Sequence, residues 1–269
     1  MPVAGEEFNG YVIDSLAGRG GTAQVYLAHR AGDENAHAVA LKVLDLRHRD
    51  SENIDRLHRE FDLAQRFSHP RIIAVYERGE DWLAMEALTG GSARDLVGTN
   101  QNWTMPIKLT ALQQIAGALD YIHEAQVVHC DVKPSNIMRR PSGSAVLTDF
   151  GIAQELVLAD GPRRPVVTTS LPYAAPEVLR GQPVTAATDQ YALACTAVEL
   201  FDGKPPFVAR TAIKLADLQL NASPSPISYR HKHIPHAFDS IVAKAMAKDP
   251  LSRYPTCTEF ITLLTHAMT

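Results

Sequence analysis

The sequence predicts an α+β fold, in which a small antiparallel β-sheet lobe with one main helix precedes a larger, mostly α-helical lobe. Three observations support this prediction. Short apolar segments of strand length fall within residues 9–86, whereas long segments with helical spacing follow residue 105. Thr89-Gly90-Gly91 lies between the two regions and provides a flexible junction. Because strands come first and helices afterwards, the order favours two unlike lobes over alternating βαβ units.

Length, charge and cysteine content limit the function classes. A chain of 269 residues can bury a large core in one or two lobes. Twenty-six basic and 30 acidic residues give a net charge of −4 without any basic block, so nucleic acid is not an expected partner. The three cysteines lie far apart without Cys-x-x-Cys spacing, which predicts neither a zinc site nor disulfides and favours a reducing, cytoplasmic compartment.

No segment of the sequence has the pattern of a targeting or membrane-spanning element. The first ten residues contain Glu6 and Glu7 and lack an apolar core, so no signal peptide is expected. No run of about 18 apolar residues occurs, so we expect no membrane contact by this chain itself. A membrane-anchored receptor with this chain as its cytoplasmic part stays open, and so does a homodimer.

The first lobe is expected to contain five strands and one helix. Apolar segments predict strands at 11–17, 24–28, 39–43, 72–76 and 82–85. Gly18-Arg19-Gly20-Gly21 lies between the first two, and glycine lets backbone N–H groups approach phosphate oxygens without a Cβ in the way. By itself this Gly-x-Gly turn is better explained as an ordinary hairpin. The helical spacing of Ile54, Leu57 and Phe61 predicts a helix over 51–67.

The second lobe is expected to be helical around one chemically important loop. Apolar side chains at helical spacing predict helices at 105–124, 188–201, 211–218, 237–247 and 256–267. Pro134 has no N–H and disfavours helical geometry at Lys133, so the segment after the first of these helices is predicted to be a loop. The long stretch from Asp149 to Ala175-Pro176-Glu177 has no clear periodicity, which is typical of a functional loop.

Two positions in the first lobe are candidates for phosphate binding. Lys42 interrupts the apolar strand 39–43, where a lone lysine would ordinarily face solvent. Its position after the glycine turn, in a Val-Ala-Leu-Lys context, favours phosphate binding instead. Glu60 alone means little, because exposed glutamates are common on helices. Paired with Lys42, it would hold the ammonium group toward the phosphates.

The loop from Val128 to Asn136 concentrates groups suited to phosphoryl transfer. Asp131 can accept a proton and Lys133 can neutralise phosphate charge. Asn136 offers a hard oxygen ligand for Mg²⁺, as does Asp149, which follows an apolar run in Asp149-Phe150-Gly151. Together these groups match what transfer of a γ-phosphoryl group requires.

Taken in order, these motifs resemble those of the Hanks-type serine/threonine protein kinases, over residues 9–265. The matching set is Gly18-x-Gly20, Val39-x-x-Lys42, Glu60, His129-x-Asp131-x-Lys133-x-x-Asn136, Asp149-Phe150-Gly151, Ala175-Pro176-Glu177, Asp189 and Arg253. Lys133, two residues after the catalytic aspartate, is the residue that serine/threonine kinases carry in this loop. The amino-acid sequence of the loop is similar to that of the bacterial, especially actinobacterial, branch. The resemblance implies the two-lobed protein-kinase fold, as one kinase domain over 1–269 with an N-lobe at 9–86, a hinge at 87–90 and a C-lobe at 91–269.

The resemblance also implies an ATP-dependent enzyme that phosphorylates Ser and Thr of proteins. Asp131 would accept the proton of the substrate hydroxyl, while Lys133, bridged by Ser170, would stabilise the transferred phosphoryl group. Lys42 and Glu60 complete the implied catalytic set. The implied nucleotide contacts are Gly18, Arg19, Gly20, Gly21, Val25, Ala40, Lys42, Met85, Glu86, Leu88 and Asp149.

Further implied roles concern the metal ion and the framework. Asn136 and Asp149 would hold Mg²⁺, with Mn²⁺ as the alternative cation. Glu177 and Arg253 look like a buried ion pair that anchors the end of the activation segment. Asp189 should accept hydrogen bonds from the backbone of the catalytic loop, and a plain helix N-cap is the alternative for it.

The chain departs from the family pattern near the catalytic aspartate. Cys130 replaces the arginine that serves as counter-charge for an activation-loop phosphate, and a neutral thiol cannot do this. The region where related bacterial kinases carry phosphorylated threonines reads Gly161-Pro162-Arg163-Arg164-Pro165. We therefore predict activity without strict need for activation-loop phosphorylation. Cys130 could also be a redox switch, but a buried residue that fills space is the favoured interpretation. Two departures are milder: this chain has Thr169-Ser170 where the family usually has Gly-Thr, and Ala194 where the family usually has glycine.

Two other function classes are alternatives to an active protein kinase. A pseudokinase that binds nucleotide as a scaffold would be indicated by loss of Lys42, Asp131, Asn136 or Asp149, and none is lost. A small-molecule kinase of the same fold is disfavoured by Ala175-Pro176-Glu177 and the long segment before it, which together build a peptide-docking surface.

Overall fold

Strands and helices segregate along the chain in the computed structural model, which describes residues 1–33, 37–97, 104–156 and 170–269. The chain divides into two compact units. The first comprises Met1–Thr89 with Asp149–Gly151, and the second comprises Gly90–Thr148 with Ile152–Thr269. The first unit holds a sheet and one long helix, and the second is mostly helical. The predicted α+β class, with a small antiparallel sheet followed by helices, is confirmed.

The sheet of the first unit has six strands, and every neighbouring pair is antiparallel. The strands are β1 (Glu7–Phe8), β2 (Tyr11–Arg19), β3 (Ala23–Arg30), β4 (Val39–Leu44), β5 (Val75–Arg78) and β6 (Trp82–Glu86). Their spatial order is β1-β2-β3-β4-β6-β5. Strands β2 to β4 therefore form a continuous meander, and only the last two exchange places.

The fifth strand lies later in the sequence than predicted. The apolar pair Ile72 and Ile73 suggested a strand over 72–76, but the strand begins at Val75. Both isoleucines are nevertheless buried, so their apolar character reflects core packing outside the ladder. The short strand β1 was also not predicted, because residues 1–10 offer no alternating pattern.

The two faces of the sheet have different roles because side chains alternate along each strand. One face carries the core formed by Tyr11, Ile13, Tyr26, Ala28, Leu41, Val43, Trp82 and Ala84. Helix α1 (Ser51–Gln65) packs on the other face, where Leu57 belongs to a buried cluster with Ala23, Leu44 and Leu83. The carboxylate of Asp50 caps this helix by accepting from the N–H of Asn53 at 3.0 Å. The helix ends two residues before the predicted limit.

The second unit contains the remaining helices. These are α2 (Met105–Glu124), α3 (Pro176–Leu179), α4 (Ala186–Asp202), α5 (Ala212–Asn221), α6 (His236–Ala245) and α7 (Cys257–Met268). Helix α2 has its predicted limits, and it contacts both α4 and α7. Helix α4 is buried on nearly all sides, which is the behaviour of a central core helix. It ends at Gly203, whose φ of 85° is the left-handed conformation that glycine adopts without strain.

Two short antiparallel strand pairs frame the loop that is predicted to carry the chemistry. Strand β7 (Val127–Val128) precedes the loop, and β8 (Ile137–Arg139) and β9 (Ala145–Leu147) follow it as an antiparallel pair. Strand β10 (Gln154–Glu155) returns to pair with β7. Within the described ranges, no helix combines the length and apolar character needed to cross a bilayer.

Candidate active site

An ion pair between the sheet and α1 marks a candidate site within the first unit. Leu41 and Val43 point into the core, so Lys42 between them points to the face on which α1 packs. This packing brings Glu60 to the lysine, with Nζ and Oε2 2.5 Å apart. Asp149 Oδ1 lies 3.4 Å from the same ammonium. Two carboxylates therefore hold the lysine side chain in place.

Burial and mutual attraction shift both members of this pair. Burial by itself would lower the pKa of Lys42, but the Asp149 and Glu60 carboxylates outweigh it and raise the pKa above its ordinary value. Burial raises the pKa of Glu60 to about 7, although the attraction of Lys42 opposes the shift. The lysine thus stays charged, whereas the glutamate titrates near neutrality.

The residues implied as nucleotide contacts lie mainly on this same face of the sheet. By the strand register, Gly18 pairs with Val25 and Val25 pairs with Lys42. Ala40 lies two residues before Lys42, and its own partner is Met85. These side chains therefore form one continuous surface opposite the buried core.

The glycine turn between β2 and β3 fits close approach by a ligand. A Cβ added at Gly18 or Gly21 would meet no atom within 4 Å, so packing does not require glycine at either position. Gly20 is tighter, because its N–H donates to Ala23 O at 2.8 Å and an added Cβ would lie 3.2 Å from that oxygen. Arg19, the last residue of β2, is exposed. The open space around these backbone groups suits phosphate oxygens.

Two of the implied nucleotide contacts, Glu86 and Leu88, lie where β6 ends. Glu86 is the last residue of β6, and its N–H donates to Ala74 O at 2.8 Å. Leu88 follows in irregular structure and is half-buried. Contact of this segment with a nucleotide remains a prediction.

The loop after β7 is held by one buried carboxylate of α4. Asp189 accepts from the N–H of His129 at 2.7 Å and from the N–H of Cys130 at 2.8 Å. Helix α4 is capped by Thr185, so Asp189 is not its N-cap, and the alternative interpretation is wrong. Cys130 has a φ of 66°, which is unusual for a residue with a side chain. The two hydrogen bonds to Asp189 offset that unfavourable backbone geometry.

His123 belongs to this arrangement and was not singled out from the sequence. Its Nε2 lies 2.8 Å from Asp189 Oδ2. No local pattern pointed to it, because its partner lies 66 residues later in the chain. A histidine in the last turn of α2, just before the loop, was the only available signal.

A second group of candidate residues, within the second unit, surrounds Asp131. The ammonium of Lys133 lies 2.5 Å from Asp131 Oδ2 and donates to Ser170 Oγ at 2.9 Å. Asn136 Nδ2 donates to the same carboxylate oxygen at 3.0 Å and to Asp131 O at 2.9 Å. The carboxylate is only 9% exposed, so these two neighbours fix its orientation. A carboxylate held in this way can accept a proton from a well-placed hydroxyl.

Two side chains offer oxygen ligands suited to a divalent cation. Asn136 directs its amide nitrogen to Asp131, so its remaining ligand atom is Oδ1. Thr148, beside Asn136 at the end of the β8–β9 hairpin, donates its N–H to Asn136 O at 3.0 Å, and Asp149 follows directly in the chain. The side chain of Asp149 is 41% exposed and therefore accessible to a ligand. Amide and carboxylate oxygens are each of the kind that Mg²⁺ and Mn²⁺ accept as ligands.

Cys130 lies in a buried position between two acidic residues. Burial, together with the carboxylates of Asp189 and Asp131, raises the pKa of the thiol well above its ordinary value. A protonated, buried thiol is a poor nucleophile and oxidises slowly. The environment therefore agrees with the packing interpretation of this residue and not with the redox switch.

The ion pair expected at the end of the activation segment is formed. Arg253 Nη1 and Nη2 each lie 2.8 Å from an oxygen of Glu177, in a bidentate arrangement. Both side chains are buried, and Thr188 donates its hydroxyl to Glu177 at 2.9 Å. Residues Gly161 to Pro165, together with Thr168 and Thr169, lie outside the described residues.

Comparison with known proteins gives a consistent result. Residues 11–264 match the protein kinase domain family. Serine/threonine-protein kinase PknJ of Mycobacterium tuberculosis is 36% identical over 267 residues, which cover 96% of this chain and 45% of the relative. PknF of the same species is 36% identical over 280 residues, which cover 100% of this chain and 58% of the relative. PknB of Mycobacterium leprae is 34% identical over 263 residues, which cover 93% of this chain and 41% of the relative. The chain thus spans about half the length of these curated relatives.

Proposed function

Because the chain belongs to the Hanks-type bacterial serine/threonine protein kinases, we propose that it transfers the γ-phosphoryl group of Mg-ATP to serine and threonine hydroxyls of proteins. The cluster around Asp131 carries this proposal, since its carboxylate is fixed by Lys133 and Asn136. In this proposal residues 9–86 form the N-lobe, 87–90 the hinge and 91–269 the C-lobe.

The proposed reaction needs one base and several positive charges. The substrate hydroxyl oxygen forms a bond to the γ-phosphorus, the bond from that phosphorus to the β-phosphate oxygen breaks, and ADP leaves. Asp131 takes the hydroxyl proton on Oδ1, because its Oδ2 is occupied by Lys133 and Asn136. Lys133 stabilises charge on the transferred group, and Ser170 keeps its ammonium in place.

The other residues bind and orient the nucleotide. Lys42, held by Glu60, contacts the α- and β-phosphates, and the backbone of the glycine turn contacts the remaining phosphate oxygens. Asn136 and Asp149 would hold the divalent cation, which supplies charge neutralisation between the phosphates when bound.

We also propose that this activity does not depend strictly on phosphorylation of the activation loop. The neutral thiol of Cys130 offers no counter-charge for a phosphate. Asp189 and Lys133 hold the catalytic loop through hydrogen bonds that involve no phosphate. Thr168→Ala and Thr169→Ala should therefore keep activity within about threefold of the wild type. A phosphate on either threonine that raises activity by orders of magnitude would contradict this proposal.

The substrates, location and assembly of the whole protein are proposals as well. The anchored end of the activation segment, at Glu177 and Arg253, supports a docking surface for protein substrates. The three cysteines are all free, which fits a cytoplasmic kinase domain, alone or in a membrane-anchored receptor. A homodimer is compatible with this account and is tested by the mass of the protein in solution.

The experiment that tests the proposed function is transfer of labelled γ-phosphate from Mg-ATP to a basic protein such as a histone. We expect transfer by the wild type and a loss of at least about a hundredfold in Asp131→Asn, because the amide cannot accept the proton. Mg-ATP binding without any transfer would instead support the alternative, a nucleotide-binding scaffold.

A further inference from the structure

Three potential metal ligands meet at a place away from the Asp131 cluster. Asp120 and His123 lie one turn apart on α2, and Cys257 is the first residue of α7. A carboxylate oxygen, a ring nitrogen and the thiol sulfur all lie within 4.8 Å of one another. The spacing of the cysteines predicts no zinc site. Cysteine spacing can reveal only sites built from several cysteines, whereas here folding brings a histidine and an aspartate to a single cysteine.

The histidine of this group is oriented as metal-binding histidines usually are. His123 Nε2 lies 2.8 Å from Asp189 Oδ2, so Nε2 carries the proton and donates it to that carboxylate. The lone pair on Nδ1 then faces Asp120, whose Oδ1 is 3.9 Å away. A carboxylate behind a histidine commonly fixes the tautomer and ring orientation in zinc sites. The imidazole is therefore preorganised to offer Nδ1 to a cation.

The charges of the group also suit a divalent cation. Asp120 accepts from the N–H of Cys257 at 2.9 Å and from the N–H of Thr258 at 2.8 Å, at the N-terminus of α7. A helix N-terminus favours anions and therefore stabilises the carboxylate. Burial, with the Asp120 and Asp189 carboxylates, raises the pKa of the Cys257 thiol well above its ordinary value, so a bound cation has to displace the thiol proton and leave a thiolate beside the carboxylate. These two negative charges and a neutral imidazole balance the charge of a 2+ ion. The cation is held by its ligands, and not by the helix end.

We propose that Asp120, His123 and Cys257 form a zinc-binding site. Nitrogen, sulfur and oxygen donors together favour Zn²⁺, whereas Mg²⁺ requires oxygen ligands in octahedral geometry. Bond lengths of about 2.0–2.3 Å place tetrahedral donors about 3.3–3.8 Å apart, so atoms separated by up to 4.8 Å approach one another by about 1 Å when the ion binds. The Zn–S bond forms as the thiol proton leaves to solvent, and water fills the fourth position.

Zinc at this position would act on the catalytic loop through Asp189. Coordination at Nδ1 polarises the His123 ring and strengthens its Nε2–H bond to the carboxylate that also holds His129 N and Cys130 N. The ion would tie α2 and α7 together at the base of that loop. The first effect is therefore on stability, and it does not require that the proposed phosphoryl transfer be correct.

Cobalt is the probe that reports on the ligands directly. Co²⁺ is titrated into the nucleotide-free protein with excess Mg²⁺ present, so that oxygen-ligand sites are filled. We expect one equivalent to give visible tetrahedral bands and a sulfur-to-cobalt charge-transfer band. Cys257→Ser should lose the charge-transfer band, whereas Cys195→Ala, which alters another buried cysteine, should keep it. A band that persists in Cys257→Ser would overturn the proposal.

Thermal unfolding gives a second, independent readout. Zinc at a hundredfold excess over its Kd should raise the Tm of the wild type and of Cys195→Ala by roughly 5 °C. The rise should be under about 1 °C in Cys257→Ser and clearly reduced in Asp120→Asn. If a variant fails to fold, the wild-type cobalt spectrum decides by itself, because the absence of a charge-transfer band overturns the proposal.

Discussion

At the scale of single residues, the environment of Glu60 predicts a pH dependence of activity. Burial raises its pKa to about 7, and protonation removes the charge that holds Lys42. We therefore expect kcat/KM for ATP to fall as the pH decreases through about 7, since the lysine loses its fixed orientation. The measurement is the pH profile of kcat/KM for the wild type and for Glu60→Gln.

The Glu60→Gln variant is the control for that profile. Its activity should be lower at neutral pH, and the acidic limb assigned to Glu60 should be absent. A wild-type profile that is flat between about pH 8 and pH 6, or an unchanged limb in the variant, would show that this glutamate does not control activity.

Ser170 gives a second prediction at the residue scale. Its hydroxyl accepts from Lys133 Nζ at 2.9 Å and keeps that ammonium beside Asp131. Ser170→Ala should lower kcat by about tenfold, because the lysine loses a positioning contact, and Ser170→Thr should retain most of the activity. The exposed hairpin substitution Ser142→Ala is a matched control with no expected effect. Full activity in Ser170→Ala would contradict the positioning role.

Individual residues of the site were predictable where a motif fixed their spacing. Asp131, Lys133 and Asn136 share one short loop, so their meeting follows from local geometry. The contribution of His123 could not be predicted, because it depends on Asp189 in a different helix. The near-neutral pKa of Glu60 could not be predicted either, because it results from burial, and helical periodicity does not show how deeply this side chain is buried.

At the scale of elements, the bond between Glu177 and Arg253 connects α3 to the chain just before α7. Both side chains are at most 2% exposed, and the pair is bidentate. Arg253→Ala would leave a buried carboxylate without its charge partner, which costs about 3–5 kcal/mol. We expect that loss in the free energy of unfolding from urea denaturation.

An exposed ion pair provides the comparison for this experiment. Lys214 and Asp217 on α5 form a contact in which both side chains are largely exposed. Lys214→Ala should therefore change the free energy of unfolding by less than about 1 kcal/mol. Equal losses of unfolding free energy in Arg253→Ala and Lys214→Ala would mean that burial does not make the Arg253 pair more stabilising than an exposed pair.

Most elements were predictable because their periodicity is strong, and the exceptions have physical causes. Helix α2 buries apolar residues at helical spacing from Leu109 to Ile122, and its predicted limits match the structure. The strand β5 was placed too early because Ile72 and Ile73 are apolar for packing reasons outside the ladder. Helix α3 has only four residues, which is too short for any period to be visible.

At the scale of the whole molecule, the order of strands and helices was enough to predict two unlike units. Residues Asp149–Gly151 nevertheless belong to the first unit although they follow 59 residues of the second, Gly90–Thr148. The contact of Asp149 with Lys42 explains this placement. Local sequence patterns cannot predict that the chain rejoins the first unit at these three residues. Contacts between distant segments therefore decide the unit boundaries, whereas local patterns decide the elements.

The central claim is that this kinase domain is active with its catalytic loop held by hydrogen bonds and without an activating phosphate. The most direct measurement is the time course of γ-phosphate transfer by protein freshly treated with phosphatase, with Asp131→Asn as the inactive control. We expect transfer at its full rate from the first turnovers, because Asp189 and Lys133 already fix the loop. A lag that shortens as autophosphorylation accumulates, or no transfer at all, would contradict it.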